Sequence, residues 1–80
     1  MDGFVAGELA NERLAEAQMH CQYRLGSQVR HLRLTPRDGG VSISGHCWTY
    51  YAKQLAQHVV CEETGFTIVA NDIQVMNREW

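Results

Sequence analysis

The fold is decided by residues 39–75, which open with GGVSISG at 39–45 and close with VANDIQV at 69–75. Serines alternate with apolar residues in the first segment, which predicts a strand with one apolar face. Thr49 and Gly65 stand where a helix needs its N-terminal cap and its C-terminal stop. The residues between them that recur at helical spacing are Ala52, Leu55, Ala56, Val59, Val60 and Glu63. The stretch therefore predicts a strand, a helix and a strand in that order.

The preceding residues predict a helix and the first strand of a hairpin. Apolar residues recur at three- and four-residue spacing over about 8–25, and Gly26 follows as a stop. Residues 29–35 alternate, and the turn-forming residues 36–40 separate them from the strand at 41–46. These two strands are therefore expected to pair as an antiparallel hairpin.

Strict alternation along the strands makes three further predictions. In the first strand, Arg30 and Arg33 fall on opposite faces. In the last strand, residues 66–76, the apolar residues change face part of the way along, which predicts a bulge near residues 71–72. Gly45 lies on the inward face, where we expect a helix to approach the strand. Gly45→Val is therefore expected to overpack the core.

The order helix, strand, strand, helix, strand predicts an α+β fold, a two-layer sandwich with both helices on one face of a three-stranded mixed sheet. The connection through the second helix is expected to be right-handed, which allows the last two strands to pair in parallel. We expect residues 1–80 to form a single domain. This length is near the lower end of those that fold without disulfide bonds or bound metal ions. Residues 1–7 are expected to be a flexible lead-in and residues 77–80 a frayed tail.

The glycines, the small residues of the second helix and the closing alternation together resemble the BON domain, the bacterial osmotic-shock and nodulation family. The resemblance covers about residues 40–75. It implies the same two-layer arrangement and a non-catalytic binding module that attaches to phospholipid surfaces or to envelope-related protein partners. Trp48, Tyr50 and Tyr51 stand where relatives usually have polar or small residues, which predicts an interface at these three aromatic residues.

The arginines are concentrated in one part of the chain. The formal net charge is −2, yet residues 17–37 contain four arginines and no acid. The predicted site for anionic lipid consists of Arg30, His31, Arg33 and Arg37. The alternative is an ordinary solvated strand edge whose charges block strand pairing. The predicted open face of the sheet lacks interleaved aromatic residues, so nucleic acid is not an expected partner.

The three cysteines, Cys21, Cys47 and Cys61, form no paired motif, and reduced, mostly buried thiols are their expected state. His58 and Cys61 share a helix face, but the inward positions of Cys21 and Cys47 argue against a zinc site. The sequence contains no nucleophile elbow, Walker motif or paired-carboxylate arrangement. We therefore expect no enzymatic activity, no bound metal and no cofactor.

The N-terminal residues carry an acid and only a short apolar run, unlike a signal peptide. As written, the chain is expected to be cytoplasmic, or periplasmic if its start has been trimmed. No segment approaches the length of a transmembrane span. The alternative function is a structural or oligomerisation unit, a weak homo-oligomer that associates through a sheet edge or through the aromatic residues near Trp48.

Overall fold

The computed structural model describes residues 3–76, with side chains described from residue 12 onward. Its elements follow the predicted order, and their bounds are α1 Gly3–Leu25, β1 Val29–Arg37, β2 Gly40–Cys47, α2 Tyr50–Thr64 and β3 Ile68–Val75. A short 3-10 turn, Gly26–Gln28, joins α1 to β1. α1 begins five residues before the predicted start at residue 8, so the expected lead-in is helical from Gly3. The expected frayed tail, residues 77–80, lies outside the described residues.

The three strands form one sheet in the order β1-β2-β3. β1 pairs antiparallel with β2, and β2 pairs parallel with β3, so the mixed sheet and the α+β class are as predicted. α1 contacts β1 and α2, and α2 contacts all three strands. The placement of both helices on one face of the sheet stays a prediction.

The core draws apolar residues from every helix and strand of the described chain. Its buried members are Leu14, Cys21, Leu25, Val29, Leu32, Leu34, Val41, Ile43, Cys47, Ala52, Ala56, Val59, Val60 and Ile73. Two of the four buried residues of α2 are alanines, Ala52 and Ala56, whose small side chains allow the helix axis to lie close to its neighbours. The apolar stripe predicted from helical spacing is therefore the face that α2 buries.

Both predicted ends of α2 are confirmed by their hydrogen bonds. The Thr49 side chain accepts a hydrogen bond from the backbone N–H of Ala52 at 3.0 Å, which satisfies one of the free donors at the start of the helix. Gly65 has the left-handed conformation, with φ at +72°, and its N–H donates to the carbonyl oxygen of Cys61 at 2.8 Å. These two residues set the start and the end of the helix.

The hairpin turn is tighter than predicted. Only Asp38 and Gly39 separate β1 from β2, and Gly39 has a positive φ of +86°. Pro36, expected in the turn, lies inside β1 with Val41 as its partner in β2. Proline is tolerated there because β1 is an edge strand and the missing N–H would point away from the sheet.

A β-bulge in β1 overturns the predicted alternation. Arg30 pairs with His46 and Arg33 pairs with Ser44, so two residues, His31 and Leu32, face the single position of Gly45. His31 has a φ of +60°, an uncommon left-handed conformation for a residue with a side chain. The extra residue reverses the alternation, which puts Arg30 and Arg33 on the same face and not on opposite faces.

Gly45 has a different neighbour from the one expected. Its inward position is confirmed, but a Cβ atom added there would meet the carbonyl oxygen of Arg30 at 2.9 Å and that of His31 at 3.3 Å, both backbone atoms of the β1 bulge. The expectation that a helix makes the close approach was wrong. With φ at +152°, the glycine accommodates the bulge of the neighbouring strand.

The bulge in β3 lies slightly earlier than predicted. Val41 pairs with Ile68 and Ser42 pairs with Ala70, so Val69 is the extra residue and the predicted position at residues 71–72 was wrong. Ile68 before the bulge and Ile73 after it both pack with the core, which resolves the change of face in the sequence.

Candidate binding surface

The face of the sheet that points away from the core carries polar side chains, and we call it the outer face. Three cross-strand rows follow from the pairing of the strands: Arg30–His46–Gln74, Arg33–Ser44–Asp72 and Thr35–Ser42–Ala70. Neighbouring residues in such a row share a face and lie about 4.8 Å apart. The outer face is therefore mostly polar, and its arginines lie along β1, at one edge of the sheet.

Because of the bulge, the arginines predicted to bind lipid lie on this one face. Arg30 and Arg33 are both exposed and sit in adjacent rows. His31, at the bulge itself, is also exposed, and its ring contacts the His46 ring edge-on, with centroids 5.9 Å apart and planes at 87°. His46 is a member of this surface that the arginine count alone did not single out. Its outward position in the predicted strand was the available signal.

Arg37 lies at the hairpin end of β1 and is partly held in place. Its Nε donates a hydrogen bond to the hydroxyl oxygen of Ser42 at 3.2 Å. Ser42 is only 5% exposed although it lies on the outer face, so this bond also satisfies a buried polar group. From Arg30 to Arg37 the strand spans roughly 20 Å, so the three arginines cover an extended strip and not one point.

Of two further charged residues considered with this strip, one lies on the same face and the other is paired elsewhere. Asp72 is exposed on the same face, two strands away from Arg33 in their shared row, and lowers the net positive charge there. Arg24, the fourth arginine of the basic segment, belongs to a different part of the molecule. Its guanidinium donates to Glu63 at 2.9 Å and to Glu62 at 3.0 Å.

The Arg24 ion pairs join the C-terminal ends of α1 and α2. The hydrogen bond from Arg24, with the nearby His58 as a smaller cause, lowers the pKa of the Glu62 carboxyl from its ordinary value. Both glutamates are exposed at the surface, and both are ion-paired with Arg24. Their positions beside a residue 38 or 39 places earlier in the chain could not be read from local spacing.

The three aromatic residues of the predicted interface are all exposed. Trp48, Tyr50 and Tyr51 are 42%, 72% and 70% exposed. Trp48 directly follows Cys47, whose partner in β1 is Val29, so it lies at the end of the sheet where β1 begins. The aromatic residues and the Arg30 end of the strip are therefore at the same end of the sheet.

The cysteines and histidines do not gather into a site. Cys21 is fully buried, and burial raises the pKa of its thiol to about 11, with Glu63 adding to the rise and Arg24 opposing it. Cys47 is also buried and donates to the carbonyl oxygen of Thr49 at 3.2 Å, whereas Cys61 is exposed. His58 contacts Glu62 at 3.0 Å. Among the described residues, no three metal-binding side chains come together.

Comparisons with known proteins return no match to this chain from family models, from curated proteins or from solved structures. Within the described part of the chain, neither helix has the combination of length and apolar character that crossing a bilayer requires.

Proposed function

We propose that this chain is a non-catalytic binding module of BON type that attaches to anionic phospholipid surfaces through the outer face of its sheet. The observation that carries the proposal is the bulge at His31, which puts Arg30 and Arg33 on one exposed face. Arg37 extends that face toward the hairpin. A planar anionic surface matches three cations spread along a strand better than a compact ligand does.

The expected affinity is modest. Each basic residue near an anionic membrane surface contributes on the order of 1 kcal/mol, so three arginines supply about 3 kcal/mol, which salt weakens. Asp72 on the same face reduces this further. Electrostatic attraction alone therefore gives weak, reversible binding to the membrane. Stable attachment requires a second source of binding free energy.

The exposed aromatic residues supply a candidate for that contribution. Trp48 lies at the Arg30 end of the sheet, and Tyr50 and Tyr51 begin α2 beside it. Tryptophan and tyrosine favour the headgroup region because their rings are apolar and their edges form hydrogen bonds. One strip of arginines and one aromatic cluster together make the two signals that stable membrane attachment needs.

Co-sedimentation with vesicles tests this function. We expect the protein to pellet with phosphatidylglycerol-rich vesicles at low salt, to be released at high salt, and to ignore phosphatidylcholine vesicles. The triple variant Arg30→Gln, Arg33→Gln, Arg37→Gln is expected to lose this binding. The proposal is contradicted if binding is absent at low salt or if the triple variant binds as well as the wild type. Either result would favour envelope-related protein partners instead.

The exposure of Trp48 and Tyr50 also favours a second candidate, a unit that associates with other proteins or with itself through these rings. Light scattering of the wild type and of the Trp48→Ser, Tyr50→Ser double variant separates the two. Association that the double variant abolishes, with no vesicle binding in the wild type, supports this candidate over lipid attachment.

A further inference from the structure

The two edge strands of the sheet, β1 and β3, differ in whether other residues bond to their outward-facing backbone groups. Residues of β1 that pair with β2 alternate with residues whose backbone groups face the free edge, and the latter are Leu32, Leu34 and Pro36. The Leu32 N–H donates to the side-chain oxygen of Gln22 at 2.9 Å. The Leu34 N–H donates to that of Gln18, also at 2.9 Å.

These bonds close the β1 edge. Gln18 and Gln22 are four residues apart on α1, a rise of about 6 Å that matches the spacing of alternate residues along a strand. The third donor position on this edge is Pro36, which has no N–H. The Gln22 amide also donates to the carbonyl oxygen of Val29 at 2.6 Å. A second strand would find every one of these three donor positions occupied or missing.

Among the residues whose side chains are described, 12–76, no side chain from another helix or strand accepts a hydrogen bond from the β3 edge. The N–H of Met76 donates to the carbonyl oxygen of Cys47 at 2.7 Å. Alternate residues of a strand bond to the same neighbour, so the backbone groups of Asn71, Ile73 and Val75 face away from β2. One of these groups, the Ile73 N–H, has a local partner in the side-chain oxygen of Asn71, at a longer 3.2 Å.

After its bulge at Val69, β3 also lacks the basic residues and prolines that usually keep an edge strand from pairing. β1 carries three arginines and a proline, whereas Ile68–Val75 contains one charged residue, Asp72, and neither lysine, arginine nor proline. Natural sheets place such residues on exposed edges to prevent association. The contrast within one small sheet indicates that its two edges have different roles.

We propose that β3 is a dimerisation edge, at which it pairs antiparallel with β3 of a second copy of this chain. A second copy is the favoured occupant because the closed β1 edge leaves β3-to-β3 contact as the way for two sheets to join. That contact is a two-fold, self-limiting one. The inference does not depend on lipid binding.

Charge favours a register centred on Ile73 over one centred on Asp72. A two-fold axis at Ile73 pairs Ile73 with its symmetry mate and pairs Asn71 with Val75 of the second copy, all through backbone groups that face outward. The Ile73 N–H would exchange the Asn71 side-chain oxygen for a carbonyl oxygen of the partner strand. It also sets Asp72 opposite Gln74 of the second copy, where an amide meets a carboxylate. An axis at Asp72 would oppose two like charges, which is destabilising. The axis at Ile73 gives a continuous six-stranded sheet with both outer faces on one side.

Analytical ultracentrifugation of charge variants at residue 74 tests this register. Because both copies change, Gln74→Lys creates two opposite-charge pairs with Asp72 and is expected to tighten dimerisation about tenfold, while Gln74→Glu is expected to weaken it about tenfold. The matched controls, Gln28→Lys and Gln28→Glu, alter the same residue type at an exposed position outside the sheet. They are expected to change the dimer dissociation constant less than twofold.

Val75→Pro is a second probe, since it removes an N–H that faces the partner and not β2. We expect it to abolish the dimer, with circular dichroism confirming that the monomer stays folded. A wild type that is monomeric at millimolar concentration overturns the proposal. So does a dimer on which the two residue 74 variants have the same effect as the residue 28 controls.

Discussion

Single glycines decide how closely the strands of this sheet meet. At Gly40, an added Cβ atom would overlap the carbonyl group of Thr67, the same carbonyl that accepts a hydrogen bond from Val41 N–H at 2.9 Å. Thr67, the residue just before β3, therefore lies so close to Gly40 that a side chain at position 40 has no room. Gly40 was recognised in the sequence as a turn residue, whereas the structure gives it a packing role as well.

Gly40→Ala is therefore expected to lower the free energy of unfolding by about 3 kcal/mol, because the overlap is with backbone and forces β2 and β3 apart. Gly26→Ala is the control. Gly26 has a φ of +58° and open space around its added Cβ, so only the conformational cost of about 1 kcal/mol applies. Urea unfolding of the two variants measures both costs. Equal destabilisation would mean that contact with Thr67 does not limit position 40.

At the level of elements, α1 makes two kinds of contact, one with the core and one with the edge of β1. One side supplies core residues, among them Cys21 and Leu25, and another lays Gln18 and Gln22 along the β1 edge. Helical spacing identified the first side. The glutamines were not singled out, because an amide on a helix surface carries no local signal of the strand it contacts.

Replacing Gln18 and Gln22 by leucine is expected to destabilise the fold by about 1–2 kcal/mol at each position, because part-buried N–H groups of β1 lose their acceptors. Gln54→Leu, on an exposed position of α2, is the matched control and is expected to cost less than about 0.5 kcal/mol. Denaturant unfolding of the single variants tests this. Unchanged stability in both would show that solvent replaces the glutamines at no cost.

The features of the elements that were predicted correctly depend on residues close together in the sequence. Those that were predicted wrongly depend on residues distant in the sequence. The caps of α2 at Thr49 and Gly65 depend on neighbours within four residues and were predicted correctly. The bulges at His31 and Val69 depend on what the next strand presents, Gly45 in the first case. Strict alternation therefore found the strands but put Arg30 on the wrong face.

Over the whole molecule, the ion pairs of Arg24 join the C-terminal ends of the two helices. Because the pKa of Glu62 is lower in the folded protein than in the unfolded chain, the unfolded chain takes up its proton first as the pH falls. The contribution of Glu62 to stability is thus present at neutral pH and is lost in the acid range.

Glu62→Gln should therefore reduce the free energy of unfolding at neutral pH, and the difference from wild type should shrink as the pH falls through the range in which Glu62 is protonated. Glu12→Gln, an exposed position on α1, is the control for removing one negative charge. Thermal unfolding from pH 7 to pH 3 follows both variants. A difference between Glu62→Gln and wild type that is independent of pH would contradict the role given to the ion pair.

The candidate site was identified from composition, while its geometry came from long-range pairing. The arginines of residues 30–37 were named from their density in the sequence, but only the register with β2 assigns Arg30 and Arg33 to one face. Arg24, counted with them in the sequence, instead bonds to α2. Local charge density therefore identified the arginines, and the pairing of β1 with β2 was needed to assign them to one face.

The most direct test of the proposed function is a comparison of two double variants that lose the same charge. Arg30→Gln with Arg33→Gln removes the adjacent pair on the outer face, and Arg13→Gln with Lys53→Gln removes two cations on the helices. In co-sedimentation with phosphatidylglycerol-rich vesicles at low salt, we expect the first to weaken binding at least tenfold, from two residues worth about 1 kcal/mol each. The second is expected to stay within about threefold of wild type. Equal losses in the two variants would contradict a binding face on the sheet.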